Sequence, residues 1–155
     1  MAKALSEQQI LVAKRRKARH YGVQALYQWN MAGAALNQIE VEFRTDYDFT
    51  KVDGEYFHAI MHEIPAQVDV LDGLVGKNLT DREMNEVGPV EISLLRLGAW
   101  ELKERLDVPV SVVLNESVSL AKKFGPVESH KFINAVLDGL AEELRAIEKT
   151  AQQKK

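Results

Sequence analysis

The residues of this sequence with the clearest chemical potential are three arginines near its beginning. Arg15, Arg16 and Arg19 lie in the stretch KRRKARHYGVQALYQW, which runs from Lys14 to Trp29. A guanidinium group binds two phosphate oxygens with parallel hydrogen bonds, provided that its position is fixed. Arginines on one ordered element therefore indicate a nucleic-acid contact, although many clusters of positive charge are only solvated surface.

A helix is predicted to hold these arginines at fixed spacing. Apolar residues recur at steps of three and four, as on one face of an α-helix, at Ala18, Tyr21, Gly22, Ala25, Leu26 and Trp29. If this stripe is buried, the three arginines and His20 should extend from its edge onto the exposed flank of the helix.

A second group of candidate residues lies where two predicted helices meet at Gly125 and Pro126. The stretch from Leu120 to Asp138 reads LAKKFGPVESHKFINAVLD. The free N–H groups at the start of the second helix favour an anion. A phenylalanine beside cations can also stack on an unpaired base, which contributes ~1–3 kcal/mol per base. Core packing is an equal alternative for Phe132 and the favoured one for Phe124, because both fit the apolar stripes of their helices.

Signals for catalysis or metal binding are weak. There is no glycine-rich phosphate loop and no cysteine, which excludes a thiol nucleophile and cysteine-ligated zinc. Ser129 and His130 lack the strained turn and partner carboxylate of a hydrolase triad. Glu55, His58 and His62 have metal-ligand spacing on one helix face, but no second Glu-x-x-His completes a di-iron bundle. We therefore predict that the protein is not an enzyme and has no metal site or cofactor.

The composition is that of a globular protein with one basic region. The chain has 155 residues, of which 46% are apolar and 28% charged. It has no secretory signal and no long apolar run, so we expect a cytoplasmic protein without a membrane span. Residues 1–20 carry a net charge of +5, whereas the whole chain carries −3. A basic patch on an acidic body directs a polyanion to one surface.

The hydrophobic periodicity predicts an all-α fold with six or seven helices in two small bundles. The first long helix should end near Gly33, Asp53 should cap the start of a later helix, and Pro65 should kink or split that helix. We predict an N-terminal subdomain of residues 1–79 and a C-terminal subdomain of residues 80–155.

Three stretches together resemble the NusB family of bacterial transcription antitermination factors. They are RRKARHYGVQALYQW, EISLLRLGAWEL and VPVSVVLNESVSLAKKFGPVESHKFINAVLD. The resemblance extends over residues 14–145, and between Ala34 and Leu79 it is mainly one of helical pattern. The sequence departs from the family in an extension at its start, in His20 where an acid is frequent, and in Ala135 where glycine is common.

The resemblance implies a non-catalytic RNA-binding protein. The family binds boxA, a single-stranded RNA element of ribosomal RNA leader transcripts, together with NusE, a small-subunit ribosomal protein. The pair joins an antitermination complex on RNA polymerase. Carried over by position, the RNA-binding residues are Arg15, Arg16, Arg19, Phe124, Ser129, His130, Lys131, Phe132 and Asn134. The partner-binding residues are Glu91 and Arg96 on the predicted Glu91–Glu101 helix, and Glu128, near which the RNA and partner surfaces meet.

Two other functions remain open from the sequence. A NusB-like domain also occurs in ribosomal RNA cytosine methyltransferases, but this chain has no room for a methyl-donor domain, so that alternative requires a fragment. The protein could also be a helical scaffold whose basic helix is only a solvated face, with homodimerisation through that helix as a variant. RNA binding requires the arginine helix and the Phe124–Pro126 corner to form one accessible groove.

Overall fold

A computed structural model describes residues 4–148 of the chain. Within this range there are seven α-helices, two short 3₁₀ turns (Phe49–Lys51 and Met84–Glu86) and no strand, which confirms the predicted all-α fold. No helix in the same range is long and apolar enough to span a membrane. The helices are α1 (Glu7–Ala32), α2 (Leu36–Asp46), α3 (Gly54–Ala66), α4 (Val68–Gly76), α5 (Pro89–Glu104), α6 (Val110–Phe124) and α7 (Ser129–Leu144).

Local signals in the sequence set several helix boundaries. Helix α1 ends at Gly33, which adopts the left-handed conformation with φ 65° that glycine takes without steric cost. Asp53 caps α3, because its Oδ1 accepts a hydrogen bond from the Tyr56 N–H at 3.0 Å. Pro65 lies in the last turn of α3, and the chain leaves helical geometry at Gln67 before α4 begins. The predicted end of α1, start of α3 and break after Pro65 are therefore confirmed.

The chain divides into two compact units after Pro65. In the first unit, helices α1 to α3 enclose an apolar core that includes the fully buried Ile39, Phe57 and Ile60. Helix α1 approaches α3 closely at Gly22, where a Cβ atom would lie 2.9 Å from Cδ1 of Ile60. The apolar stripe predicted for α1 is thus the face that packs into this core.

Helix α5 is the centre of the second unit. Every residue from Ser93 to Leu102 is buried, so this helix has no solvent-exposed face over that span. Helices α4, α6 and α7 all pack against it. Leu71 and Val75 of α4 are fully buried. Because α4 belongs to this unit, the division of the chain falls earlier than the boundary predicted near Leu79.

Candidate nucleic-acid interface

Arg15 lies on a preformed support in the first unit. Its guanidinium carbon is 4.3 Å from the centre of the Tyr56 ring, and its Nε is 3.7 Å from Oδ2 of Asp53. The N–H of Asp53 donates to the carbonyl oxygen of Lys14 at 3.0 Å, which joins α1 to the start of α3. Cation–π contact and the nearby carboxylate therefore orient the Arg15 side chain, which remains 30% exposed, before any ligand arrives.

The three predicted RNA-binding arginines differ in exposure. Arg16 is exposed, whereas Arg19 is only 3% exposed, with its guanidinium carbon 5.5 Å from the centre of the Tyr56 ring. The prediction that all three side chains reach an exposed flank is therefore wrong for Arg19. The reason is helical geometry, because residues four apart share a helix face and Arg19 consequently lies over the same ring as Arg15.

The corner between α6 and α7 contains a strained residue. Glu128 has φ 69° and ψ 0°, and it is the one non-glycine residue with positive φ in the described part of the chain. This left-handed conformation costs about 1–2 kcal/mol for a residue with a Cβ atom. Helix α7 begins at the next residue, and the Glu128 side chain does not cap it. The positive end of the helix dipole thus lies at the corner, where it favours an anion.

The predicted RNA-binding residues of this corner are exposed to different degrees. Lys131 and Asn134 are exposed, and Lys131 pairs with the exposed carboxylate of Glu128. Phe124 and His130 are half-buried, and the amine of Lys123 lies 5.6 Å from the centre of the Phe124 ring. The exposed and half-buried side chains can reach a ligand without a change in the fold.

A chain of polar contacts supports Phe132 of α7. The hydroxyl of Ser129 donates to Oε2 of Glu91 at 3.2 Å, and Oε1 of Glu91 lies 3.7 Å from Nη1 of Arg82. The guanidinium carbon of Arg82 is 4.1 Å from the centre of the half-buried Phe132 ring. Ser129 and Glu91 were predicted to contact RNA and the partner. They are 5% and 8% exposed, and they contact each other.

The other predicted partner-binding residues lie in different environments. Arg96 is 8% exposed, and its Nε and Nη2 each donate to one carboxylate oxygen of Asp72 at 2.8 Å. This ion pair ties α5 to α4 inside the second unit. Glu128 is exposed. Of the three residues predicted to bind a partner, Glu128 is thus the one at the surface.

Tyr56, beside Arg15, and Arg82, beside Phe132, were not predicted from the sequence as parts of the candidate interface. Tyr56 fits the apolar stripe of α3 and is 2% exposed, as expected of a core residue, yet its ring also lies under two arginines. The four-residue spacing of Arg15 and Arg19 is a signal for such a support, because it places two cations on one helix face. Arg82 lies between helices, where no periodicity predicts its position.

A protein-family model, described as the NusB family, matches residues 16–142 of the chain. The chain belongs to the NusB family. The family resemblance recognised from the three sequence stretches is therefore confirmed, and it covers both compact units.

Relatives and a solved structure agree with this membership. The transcription antitermination protein NusB of Hahella chejuensis is 49% identical over 142 residues, which are 92% of this chain and 95% of the relative. That of Pseudomonas fluorescens is 52% identical over 136 residues, 88% of this chain and 81% of the relative. A structure of T. maritima NusB matches with a TM-score of 0.75 at 30% identity, covering 83% of this chain and 91% of that one.

The backbone strain at Glu128, in the α6–α7 corner, can be measured. We expect Glu128→Gly to raise the free energy of unfolding by about 1 kcal/mol, because glycine adopts the left-handed conformation without steric cost. Glu143→Gly is a matched control, since Glu143 is also exposed and also pairs with an exposed lysine, but lies within α7. Glu143→Gly should lower the free energy of unfolding by about 1 kcal/mol, because glycine is a poor helix former. Equal effects in urea denaturation would contradict the assignment of strain to Glu128.

Proposed function

We propose that this NusB-family protein is a transcription antitermination factor that binds single-stranded boxA RNA of ribosomal RNA leader transcripts. In this proposal it binds together with NusE and joins an antitermination complex on RNA polymerase. Family membership and the names of the relatives support the antitermination role. The observation that best supports an RNA contact is the oriented guanidinium of Arg15 beside the exposed Arg16.

Helix α1 supplies the phosphate contacts in this proposal. Because Arg15 is already held against Tyr56 and Asp53, it loses little side-chain freedom when it binds a phosphate. Arg16 is exposed and adapts to the position of the next phosphate along the strand. Arg19 helps to fix this support by packing on the same Tyr56 ring as Arg15. Such contacts fix the register of the RNA but do not read its sequence.

The α6–α7 corner supplies the base contacts. Single-stranded RNA presents splayed bases that stack on aromatic rings and offer their edges to hydrogen-bonding groups. Phe132, fixed on one side by Arg82, provides a ring, while the exposed amide of Asn134 both donates and accepts hydrogen bonds. Lys131 and the start of α7 bind the adjoining phosphate. The buried Ser129–Glu91 contact holds the first turn of α7 in place for these roles.

The partner surface in this proposal includes the exposed Glu128. Arg96 and Glu91 support that surface from inside, because their contacts with Asp72 and Ser129 fix α5 against its neighbours. The left-handed backbone at Glu128 sets the direction of its exposed side chain at the start of α7. In this proposal, Glu128 and its exposed neighbours contact NusE and RNA together.

Substitution of Arg16 tests the RNA contact directly. We expect Arg16→Ala to weaken binding of a boxA oligonucleotide, in the presence of NusE, about tenfold, as for loss of one charge-assisted hydrogen bond. The slope of log K against log salt should fall by about 0.7, because one phosphate contact of a single strand is lost. Fluorescence anisotropy across a salt titration measures both quantities.

A matched control separates this contact from a general effect of charge. Lys77→Ala removes one positive charge from an exposed position that pairs with Glu143, near the end of α7 opposite the α6–α7 corner. Its affinity and salt slope should equal those of the wild type. Wild-type affinity and slope for Arg16→Ala would exclude this part of α1 from the RNA-binding surface.

A further inference from the structure

Two histidines and a glutamate form a cluster in the first unit, apart from the residues assigned to RNA binding. Oε1 of Glu40, on α2, lies 3.0 Å from Nδ1 of His58 and 2.9 Å from Nε2 of His62, both on α3. The three atoms all lie within 4.8 Å of one another. Two ligand atoms of one ion are at most about 4.4 Å apart at ordinary metal–ligand distances of about 2.0–2.2 Å, so small side-chain rotations would bring all three atoms to one cation.

This arrangement differs from the one considered in the sequence. The spacing of His58 and His62 suggested Glu55 of the same helix as the third ligand. The structure brings Glu40 to the pair instead, through packing of α2 on α3. The missing second Glu-x-x-His argues against a di-iron bundle but not against a mononuclear site. Such a site needs three protein ligands and leaves further positions to water.

Arg44 orients the Glu40 carboxylate. Its Nε and Nη2 lie 3.0 Å and 2.9 Å from Oε2 of Glu40, and Nη2 also donates to the carbonyl oxygen of Gly54 at 2.9 Å. Nδ1 of His58 lies 3.0 Å from both Oε1 and Oε2, whereas Nε2 of His62 contacts Oε1. Arg44 therefore fixes a carboxylate whose two oxygens both lie beside the imidazoles. Metal-binding carboxylates and histidines are commonly fixed by outer hydrogen bonds of this kind.

The carboxylate is ionised at neutral pH. Burial acts to raise the pKa of Glu40, but hydrogen bonds from His58, His62 and Arg44 outweigh it, so the pKa lies below its ordinary value. An anionic oxygen is the form that binds a cation. The positive charge of Arg44 offsets the negative charge of the carboxylate. The two imidazole nitrogens must therefore provide most of the affinity for the cation.

The cluster can be reached from solvent. The side chains of His58 and His62 are 58% and 35% exposed, whereas that of Glu40 is 11% exposed. A shallow pocket beside His58 is lined by Arg44, Gly54 and Glu55. A cation can therefore enter without unfolding of the unit.

We propose that Oε1 of Glu40, Nδ1 of His58 and Nε2 of His62 bind a single first-row transition-metal ion, with Zn²⁺ as the representative case. Two imidazoles and one carboxylate suit Zn²⁺, Ni²⁺ or Cu²⁺, whereas Mg²⁺ and Ca²⁺ prefer all-oxygen sites. The ion replaces the hydrogen bonds that now join the three side chains. It also links α2 to α3 and so stabilises the first unit.

Calorimetry with Zn²⁺ on the full chain, freed of affinity tags and treated with a chelator, tests this proposal. We expect one site, with the affinity reduced at least about tenfold by His58→Ala or His62→Ala. His130→Ala is the matched control, since His130 is a partly exposed histidine outside the cluster, and it should bind as the wild type does. Zn²⁺ should raise the melting temperature of the wild type and of His130→Ala, but not of His62→Ala.

A further variant covers the case in which an alanine substitution disturbs the fold. Glu40→Gln keeps the size of the side chain and removes its charge, and we expect it to weaken binding as well. Circular dichroism shows whether each variant retains its helices. Absence of saturable binding in the micromolar range, or equal binding by the wild type and a folded His62→Ala or Glu40→Gln variant, would overturn the proposal. The cluster would then be a hydrogen-bonded network only.

Discussion

Replacement of Arg145 with methionine should lower the free energy of unfolding of the second unit by about 3–5 kcal/mol, the range for breaking a buried ion pair. Arg145 is 5% exposed, and its guanidinium group donates five hydrogen bonds of 2.7–3.1 Å. Methionine fills similar space but donates no hydrogen bond, so five acceptors lose a partner, four of them carbonyl oxygens at the end of α5 and in the turn that follows it. These acceptors are the carbonyl oxygens of Glu101, Leu102, Arg105 and Val108, and the carboxylate of Glu148.

Urea denaturation followed by circular dichroism measures this effect. Lys77→Met is the matched control, because it also removes a cation from an ion pair, but from one in which both side chains are about half or more exposed. It should change stability by less than about 1 kcal/mol. Arg145→Lys should be intermediate, since an ammonium group cannot reproduce the planar fork. An Arg145→Met variant as stable as Lys77→Met would show that the buried guanidinium contributes little.

Gly98→Val should lower the free energy of unfolding by about 3 kcal/mol, at the upper end of the usual cost of overpacking a core. A Cβ atom at Gly98 of α5 would lie 2.5 Å from Cδ1 and 2.9 Å from Cδ2 of Leu137 on α7. Leu137 is fully buried, so its side chain has no free space to enter. Glycine therefore permits the close approach of the two helices, and this gain outweighs its low helix propensity.

The same substitution at Gly73 of α4 separates packing from helix propensity. Apart from the adjoining backbone of α4 itself, no atom of the described residues lies within 4 Å of the Cβ position there. Gly73→Val should leave stability unchanged or raise it by a few tenths of a kcal/mol, because valine is the better helix former. Equal losses at both glycines in thermal denaturation would contradict the packing explanation and indicate a backbone effect instead.

The elements that could be predicted from the sequence are those governed by neighbouring residues. The end of α1 at Gly33, the cap at Asp53 and the break after Pro65 each depend on a single residue and its immediate neighbours. The division of the chain could not be predicted in the same way. It depends on the surface against which α4 buries Leu71 and Val75, and their spacing fits either unit equally well.

The candidate site was predictable in residue type but not in burial. Arg16 and Arg19 are both arginines beside the apolar stripe, and the burial of Arg19 depends on its helix face together with the Tyr56 ring that packs against that face. The contact between Ser129 and Glu91 joins residues 38 positions apart, and Glu40 is 18 positions from His58. Such pairs have no local signal, because they depend on which helices pack together.

Among the residues that the structure describes, the first turns of helix α1 bury no side chain. All residues from 4 to 13 are exposed, whereas Ala18, Ala25 and Leu26 are completely buried or nearly so. A helical segment without a packed face is held by its own hydrogen bonds alone, and it opens more readily than the packed part. Arg15 and Arg16 lie where these two parts meet. The backbone before them can consequently open by a turn while the guanidinium of Arg15 keeps its position on Tyr56.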